Sequence, residues 1–237
     1  MNLLLIDTCG ATGSLALADS ARPPAVASLP GRSAAERLVQ AIHSLAAQAG
    51  IALHSLDAVA VVHGPGSFTG VRVGLSAAKG LCHALNLPLV AISRLAVLAS
   101  LANFTNPDQS SAAPVRALLD AGRGEFYSGL YAGGLCLHES LLTRDQLLAA
   151  HSSEIAQLVV CEPAVAQSIT ALAPQLDAEP SAASALPLAL ARIRQRAFDD
   201  PATIDANYLR RTDAEIFAKP VAAAPQPPAT HSGTPSR

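Results

Sequence analysis

The segment spanning residues 63–81 is the part of the sequence that most suggests chemistry, because three glycines and one proline crowd its first eight positions. Backbone N–H groups at a glycine-rich helix start can hold an anion such as a phosphate. A Walker-type phosphate loop requires Gly, four residues and then Gly-Lys-Ser or Gly-Lys-Thr, and none of Gly64, Gly66 and Gly70 begins that pattern. The dinucleotide pattern Gly-x-Gly-x-x-Gly also fails, since Thr69 stands where its third glycine is needed. The segment therefore predicts a tight turn with, at most, generic anion binding.

The sequence contains no spacing typical of a metal centre. None of the seven histidines lies four residues from another, and the His-Glu-x-x-His motif of metallopeptidases is absent. The four cysteines lack a Cys-x-x-Cys pair, so they are predicted to be free, mostly buried thiols in a reducing compartment. His63 precedes the glycine-rich turn, where a loop-anchoring role is favoured over a catalytic base. We therefore expect no metal.

Three carboxylates lie next to glycine-rich turns. Asp7 ends the first apolar segment, where it is either a phosphate or metal contact or a cap for the turn over residues 10–13. Asp120 and Glu125 flank a second turn that contains Gly122 and Gly124. For this pair we favour roles in the turn and in a contact between lobes over a general acid and base.

Composition limits the class of protein. The 237 residues suffice for one domain or two small lobes, and 50% of them are apolar while only 3% are aromatic, so the core must be mainly aliphatic. The net charge of −2 does not indicate a strongly basic face for nucleic acid. No apolar run approaches the roughly 20 residues of a membrane span, and the first residues lack the basic start of a signal peptide. These features predict a cytoplasmic protein without a membrane segment.

The hydrophobic pattern predicts strands that give way to alternating helices and strands. Ser33 and Glu36 form a capping box that opens a helix. Ser67 or Thr69 is a plausible N-cap for a second helix, and Ser93 for a third. The predicted strands cover residues 3–6, 14–18, 59–62, 89–92, 115–120, 125–131, 135–142 and 158–161. The predicted helices cover residues 33–49, 69–86, 93–101, 163–173 and 184–197.

The domain division follows from composition. A polar linker over residues 103–114 separates a first lobe, residues 1–103, from a second lobe, residues 115–220. Residues 222–237 are rich in Ala, Pro, Ser and Thr without a core-forming period, so they are predicted to be a disordered tail.

The second predicted helix carries a face of small residues. Gly70, Gly74 and Ala78 are spaced by four, which places them on one side and lets another backbone approach closely. Each glycine costs about 1 kcal/mol of helix stability relative to alanine, so tight packing must compensate. Packing against the chain's own sheet and packing against a partner both remain open.

Three segments carry a resemblance to a known family. The Ile6-Asp7-Thr8 turn resembles the first phosphate hairpin of the actin, sugar-kinase and Hsp70 (ASKHA) superfamily, with Asp7, Thr8 and Gly10 as a vestigial phosphate loop. The blocks at residues 63–81, 120–127 and 208–210 together resemble the TsaB (YeaZ) family, over roughly residues 1–220. The resemblance implies an α/β protein of two ribonuclease-H-like lobes.

The resemblance also implies a function. Members of this family are partner subunits of TsaD, the paralogue that modifies the adenosine next to the anticodon of tRNA. In that system the ATPase TsaE acts with TsaD, and TsaC supplies threonylcarbamoyl-adenylate. The chain is then a non-catalytic scaffold with no cofactor of its own, any nucleotide lying at the interface shared in the complex. The chain is then expected to form a heterodimer directly with TsaD and to contact tRNA through the complex. A homodimer of the chain is a further option.

The resemblance places the partner contact on the first two helices, residues 33–49 and 69–86. The apolar and small side chains expected at that interface are Leu38, Ile42, Leu45, Gly70, Val71, Gly74, Leu75, Ala78 and Cys82. TsaD holds its metal with a His-x-x-x-His pair that this sequence lacks, which agrees with a loss of catalysis. Two other classes of protein stay open. One is a small-molecule kinase or nucleotide hydrolase of the same superfamily. The other is a metallopeptidase, although the sequence lacks the residue spacing of a metal site.

Overall fold

Two five-stranded sheets of identical topology form the framework of the chain. The computed structural model describes residues 1–19, 22–30, 34–105, 114–153 and 156–210. The first sheet consists of β1 (Leu3–Asp7), β2 (Gly13–Ala18), β3 (Ala25–Leu29), β4 (Ala58–Val62) and β5 (Leu89–Ile92). The second consists of β6 (Val115–Gly122), β7 (Glu125–Ala132), β8 (Leu135–Thr143), β9 (Gln157–Val160) and β10 (Gln175–Leu176).

The strand orders are β3-β2-β1-β4-β5 and β8-β7-β6-β9-β10. In each sheet the first three strands along the chain are antiparallel neighbours, and the last two continue the sheet in parallel. This repeated order confirms the expectation of two ribonuclease-H-like lobes.

The helices within the described residues occupy equivalent positions in the two lobes. They are α1 (Ala34–Ala49), α2 (Phe68–Leu85), α3 (Arg94–Thr105), α4 (Arg144–Ser153), α5 (Pro163–Ser168) and α6 (Leu186–Arg194). In each lobe the first helix connects the third strand to the fourth, the second connects the fourth strand to the fifth, and the third follows the fifth strand.

The core of the first lobe lies between its sheet and the pair α1 and α2. All five residues of β1 and all five of β4 are buried, as expected for central strands covered on both faces. Leu38, Ile42 and Leu45 of α1 each retain only 2% of their exposure, and they belong to the same cluster as these strands. The amphipathic period that predicts α1 is therefore the period of its contact with the chain's own core.

The third helix of each lobe packs on the other lobe. Leu95, Leu98 and Ala102 of α3 join the cluster of the second sheet, and α3 contacts β6, β7 and β9. In the opposite direction α6 contacts β5, and Ala189 is buried in the first core. The division at residue 103 thus describes the sheets but is wrong for these helices, because an apolar helix packs on whichever sheet face lies open to it.

Most predicted elements are confirmed within a few residues. The sequence analysis missed β3, α4 and β10, which are edge strands and a helix with weak apolar periodicity. Ser67 is the N-cap of α2, and its Oγ accepts a hydrogen bond from the Gly70 N–H at 3.2 Å. The helix predicted to end at residue 101 continues to Thr105. Ser33, most of the predicted linker and the predicted tail lie outside the described residues.

The glycines of α2 and of the turn before it lie against the loop that joins β1 to β2. A Cβ built on Gly70 would stand 2.0 Å from the Thr8 carbonyl oxygen, and one on Gly74 would stand 2.3 Å from Thr8 Oγ1. The Thr8 hydroxyl donates a hydrogen bond to the Gly70 carbonyl oxygen at 2.6 Å. A Cβ on Gly80, in contrast, would meet nothing within 4 Å. The small face therefore serves packing within the chain.

Two alanine substitutions on the same helix should have opposite effects on stability. We expect Gly70→Ala to lower the free energy of unfolding by about 1–3 kcal/mol, because the new methyl group collides with backbone rather than with a movable side chain. Gly80→Ala is the matched control and should raise the free energy of unfolding by up to about 1 kcal/mol, since only helix propensity changes. Urea unfolding followed by circular dichroism measures both, and equal effects at the two positions would contradict the close packing.

Candidate functional site

A cleft between the two lobes opens beyond the ends of β1, β6 and β9. It encloses about 760 Å³. Its first-lobe wall is the β1–β2 loop and the start of α2, with Thr8, Gly10 and Ser67 among the lining residues. Its second-lobe wall includes Asp120, which lies near the end of β6, and Glu162, which lies two residues after β9. This is the edge where open α/β sheets bind ligands, and it contains the predicted vestigial phosphate loop.

Asp7 anchors the loop from below. Its carboxyl is buried, and its Oδ1 accepts a hydrogen bond from the Cys9 N–H at 2.9 Å. Burial raises the pKa of the Asp7 carboxyl above its ordinary value, and the nearby Arg94 guanidinium opposes that rise only in part. The hydrogen bond two residues along the chain forms an Asx turn, which supports the capping role for Asp7, and the part of Asp7 in a phosphate loop stays a prediction.

An ion pair between Arg94 and Glu179 lies directly against Gly10 of the β1–β2 loop. Arg94 Nη2 donates to Glu179 Oε1 at 2.9 Å, and the Arg94 side chain is almost fully buried. A Cβ on Gly10 would lie 2.4 Å from that same Glu179 oxygen. The carboxylate therefore occupies the space directly above the turn. Neither Arg94 nor Glu179 was picked out by sequence reasoning, because 85 residues separate them and no local pattern links them.

The charge of the cleft opposes a polyphosphate. Three carboxylates line it, those of Asp120, Glu162 and Glu179, against the single guanidinium of Arg94 among the described lining residues. Burial raises the pKa of the Glu162 carboxyl. No group of three or more metal-ligating side chains occurs in the described ranges.

The two cysteines of the cleft are not activated as nucleophiles. Burial raises the pKa of the Cys9 thiol far above its ordinary value and that of Cys161 to about 12. Both sulfurs therefore remain neutral thiols near pH 7, whereas a reactive cysteine requires the thiolate. All four cysteines are free, as predicted, and Cys136 alone is exposed.

The remaining polar candidates have structural roles. His63 Nδ1 lies 3.1 Å from the Asp205 carbonyl oxygen, which fits the loop-anchoring role. Asp120 Oδ1 accepts a hydrogen bond from the Gly122 N–H at 2.8 Å, and Glu125 pairs with Arg210 at 2.6 Å. Asp120 and Glu125 thus hold a turn and a contact to the C-terminal segment, as favoured over an acid/base pair.

The side chains expected at a partner interface are not exposed. Leu38, Ile42, Leu45, Val71, Leu75, Ala78 and Cys82 all retain 5% exposure or less. Gly74 is buried and Gly70 half-buried, both against Thr8. The expectation that these residues form a free surface is wrong, because an apolar stripe has the same spacing whether it faces the chain's own sheet or a partner.

The open surface between the two helices shares only Ile42 with the predicted set. A groove of about 240 Å³ runs between α1 and α2, and its lining residues are Val39, Ile42, His43, Leu53, Ala77, Gly80 and Leu81. Val39 is 61% exposed. The sequence analysis missed this groove because Val39 follows Leu38 in the chain but lies outside the stripe of Leu38, Ile42 and Leu45. We call this surface the helix-pair groove.

The buried Asp7 carboxyl should give stability a distinctive pH dependence. Because its pKa is raised in the folded state, the folded chain binds more protons than the unfolded chain above about pH 4, and stability falls as pH rises through that window. Asp7→Asn keeps an acceptor for the Cys9 N–H but removes the charge facing Arg94, Glu179 and Cys9. We expect the stability of the variant relative to the parent to grow between about pH 4 and pH 7.

Urea unfolding at several pH values measures this difference. The exposed Asp145, changed to Asn, is the control for removal of a carboxylate from the surface. A difference for Asp7→Asn that stays constant over the whole range would mean that Arg94 fully offsets the burial of the Asp7 carboxylate.

No helix of the described residues is long and apolar enough to cross a lipid bilayer. The family model for "TsaD: tRNA N6-adenosine threonylcarbamoyltransferase" matches residues 24–135. This range contains both α1 and α2.

Comparison with known proteins gives more specific relatives. The chain is 35% identical over 127 residues to the tRNA threonylcarbamoyladenosine biosynthesis protein TsaB of Haemophilus influenzae, covering 54% of this chain and 52% of that protein. It is 36% identical over 133 residues to the protein of the same name from Bacillus subtilis, covering 55% of each. The chain thus spans about half the length of these relatives in the matched region.

A solved structure extends the similarity to nearly the whole fold. The structure of YeaZ from Pseudomonas aeruginosa superposes with a TM-score of 0.71 at 30% identity, covering 88% of this chain and 99% of that one. The two α/β lobes of this chain therefore share the fold of that structure. The chain belongs to the TsaB (YeaZ) family.

Proposed function

We propose that this chain is a non-catalytic subunit of the complex that forms N6-threonylcarbamoyladenosine next to the anticodon of tRNA, and that it binds and activates TsaD. The names of its relatives place TsaB in the biosynthesis of this nucleoside, which supports the pathway. In the proposed complex TsaE acts on the assembled pair, TsaC supplies the activated threonylcarbamoyl group, and tRNA is reached through the complex. The setting is cytoplasmic, and any nucleotide belongs to the shared interface rather than to this chain alone.

The observation that carries the proposal is the helix-pair groove. Val39, Ala77 and Leu81 offer apolar surface to solvent on the outer side of two helices whose inner sides are already buried in the core. Gly80 adds a position where a second helix can approach, since nothing lies within 4 Å of its missing side chain. Apolar surface around a small residue is the usual basis of close helix packing.

The identity of the occupant is argued from the match to TsaD. The TsaD family model aligns with the stretch that contains α1 and α2, so a TsaD chain carries a related pair of helices. Two related pairs facing each other form a four-helix bundle about a pseudo-two-fold axis, in the manner of an isologous dimer. The same geometry accounts for a homodimer of this chain when TsaD is absent.

The cleft supports the non-catalytic part of the proposal. Its two thiols are neutral near pH 7, its carboxylates outnumber its one guanidinium, and Glu179 occupies the space above Gly10. A kinase or nucleotide hydrolase of the same fold requires room and positive charge for phosphates at this turn. The cleft volume alone favours that alternative, whereas its charge does not.

The purified chain alone should neither hydrolyse ATP nor modify tRNA. Addition of TsaD, TsaE and TsaC should give modified tRNA, measured as incorporation of labelled threonine, and omission of this chain should abolish it. Isothermal titration with Mg-ATP should detect no tight binding to the isolated chain. Tight binding or turnover by the single chain would favour the kinase or hydrolase alternative.

A single substitution in the helix-pair groove should separate assembly from folding. We expect Gly80→Arg to abolish binding to TsaD, because a long charged side chain is buried without a partner at the centre of the contact. The variant should remain folded and slightly more stable than the parent, since arginine is the better helix former and the site faces open space.

The matched control adds the same charge to the second lobe. Ala149→Arg lies at an exposed position of α4, outside the helix-pair groove. Analytical ultracentrifugation of each variant mixed with TsaD measures assembly. Normal binding by folded Gly80→Arg would show that TsaD does not dock on this groove.

A further inference from the structure

Three segments that are distant in the sequence meet at a second, smaller pocket. It encloses about 250 Å³ beside the start of α2, at the junction of the two lobes. Phe68 comes from the glycine-rich turn, Arg123 and Tyr127 from the β6–β7 hairpin, and Tyr208 and Arg210 from the C-terminal segment. These are the three blocks on which the family resemblance rests, and neither the helix-pair groove nor the cleft explains their side chains. We call this site the aromatic–arginine pocket.

Aromatic residues are concentrated at this pocket. The chain has five phenylalanines, three tyrosines and no tryptophan, and three of these residues line the pocket. Phe68 is 51% exposed and Tyr208 is 38% exposed. In a chain so poor in aromatics, exposing two of them side by side is costly unless a ligand covers their rings.

An arginine holds the two exposed rings in place. The Arg72 guanidinium lies 3.7 Å from the centre of the Phe68 ring, and its Nε donates a hydrogen bond to the Tyr208 hydroxyl at 2.6 Å. The two ring centres are 6.1 Å apart. This arrangement preorganises an aromatic surface flanked by a cation before any ligand arrives.

Arg210 supplies a second, fixed cation. Its Nη2 donates to the Ala121 carbonyl oxygen at 2.9 Å and to Glu125 at 2.6 Å. Its Nε is buried and has no acceptor among the described residues. A buried donor of this kind normally has a partner, and an oxygen of a bound ligand would provide one.

Arg123 stands at the rim, in the two-residue turn that joins β6 to β7. Gly122 pairs with Glu125, and Arg123 and Gly124 between them have φ of +58° and +76°. A positive φ at both central positions is what a type I′ hairpin turn requires, and this turn carries the Arg123 side chain out to the edge of the pocket. This exposed side chain takes part in no ion pair within the described part of the chain, so its charge is available to an anion.

We propose that the aromatic–arginine pocket binds one nucleotide of a single-stranded RNA, with the base stacked on the aromatic rings and the adjacent phosphate held by Arg123. Stacking platforms combined with arginines are the typical means of holding unpaired nucleotides. The volume is below the range typical of sites for drug-sized ligands, which suits one planar base. The choice of RNA rather than DNA rests on the proposed function in tRNA modification.

Fluorescence anisotropy with a fluorescein-labelled anticodon stem–loop RNA tests the proposal, using the full chain alone and in complex with TsaD. Arg123→Gly should weaken binding about five-fold and reduce the slope of log affinity against log salt by about 0.7. This variant relaxes the left-handed backbone, so a loss of binding does not reflect unfolding. Phe68→Leu should weaken binding about ten-fold through the lost stacking.

Two positions outside the pocket provide matched controls. Arg196 is exposed and also left-handed, with φ of +55°, and Phe198 is 42% exposed. Arg196→Gly and Phe198→Leu should leave RNA affinity unchanged. A fully paired RNA of the same strand should bind the parent chain more weakly than the stem–loop.

The outcomes separate this inference from the proposed function. Loss of RNA affinity by Arg123→Gly with normal TsaD binding supports the pocket. Unchanged RNA affinity, or no detectable affinity of the parent chain alone and in complex, overturns it while leaving the helix-pair groove untouched. Loss of TsaD binding with RNA affinity intact would also overturn it and would assign the pocket to a protein contact.

Discussion

The contact between the β1–β2 loop and the small face of α2 is the constraint on which the rest of the structure depends. Gly66 and Gly70 let the backbone of Cys9 and Thr8 approach more closely than a side chain would allow, and Gly74 does the same for the Thr8 hydroxyl. The Ser67 N–H donates to the Cys9 carbonyl oxygen at 2.9 Å, so hydrogen bonds as well as close packing fix the approach. Because the loop packs on the helix start, its position is fixed. The buried Asp7 carboxyl beneath it accepts a hydrogen bond from the Cys9 N–H and lies near the Arg94 guanidinium.

The exchange of helices between lobes extends this rigidity across the cleft. Arg94 begins α3 directly after β5, and its N–H donates to the Gly64 carbonyl oxygen at 2.7 Å. From there α3 packs on the second sheet, while α6 returns to the first. The Arg94–Glu179 ion pair, which lines the cleft, links the start of α3 to the segment after β10. These contacts hold the two lobes against each other across the cleft.

The sequence predicted the elements well but not the use of their faces. Central strands such as β1 and β4 are almost entirely apolar runs, and Ser67, one of the two predicted N-caps, precedes the first residue of α2. Periodicity assigns Leu38, Ile42 and Leu45 to a buried face of α1, but it does not show whether the chain's own sheet or a partner buries that face. The Arg94–Glu179 pair and the aromatic–arginine pocket depend on contacts between residues far apart in the chain, which no local pattern contains.

The two contacts proposed for this chain lie on different parts of α2. One side of the helix packs on the β1–β2 loop and another on the sheet, and the side of Ala77, Gly80 and Leu81 lines the helix-pair groove, where we propose that TsaD docks. Its first turn, with Phe68 and Arg72, projects toward the aromatic–arginine pocket instead. At a rise of about 1.5 Å per residue, Phe68 and Gly80 lie about 18 Å apart along the axis. Since the two surfaces do not overlap, one rigid helix can hold a protein partner and an RNA nucleotide at the same time, and so fix the distance between them.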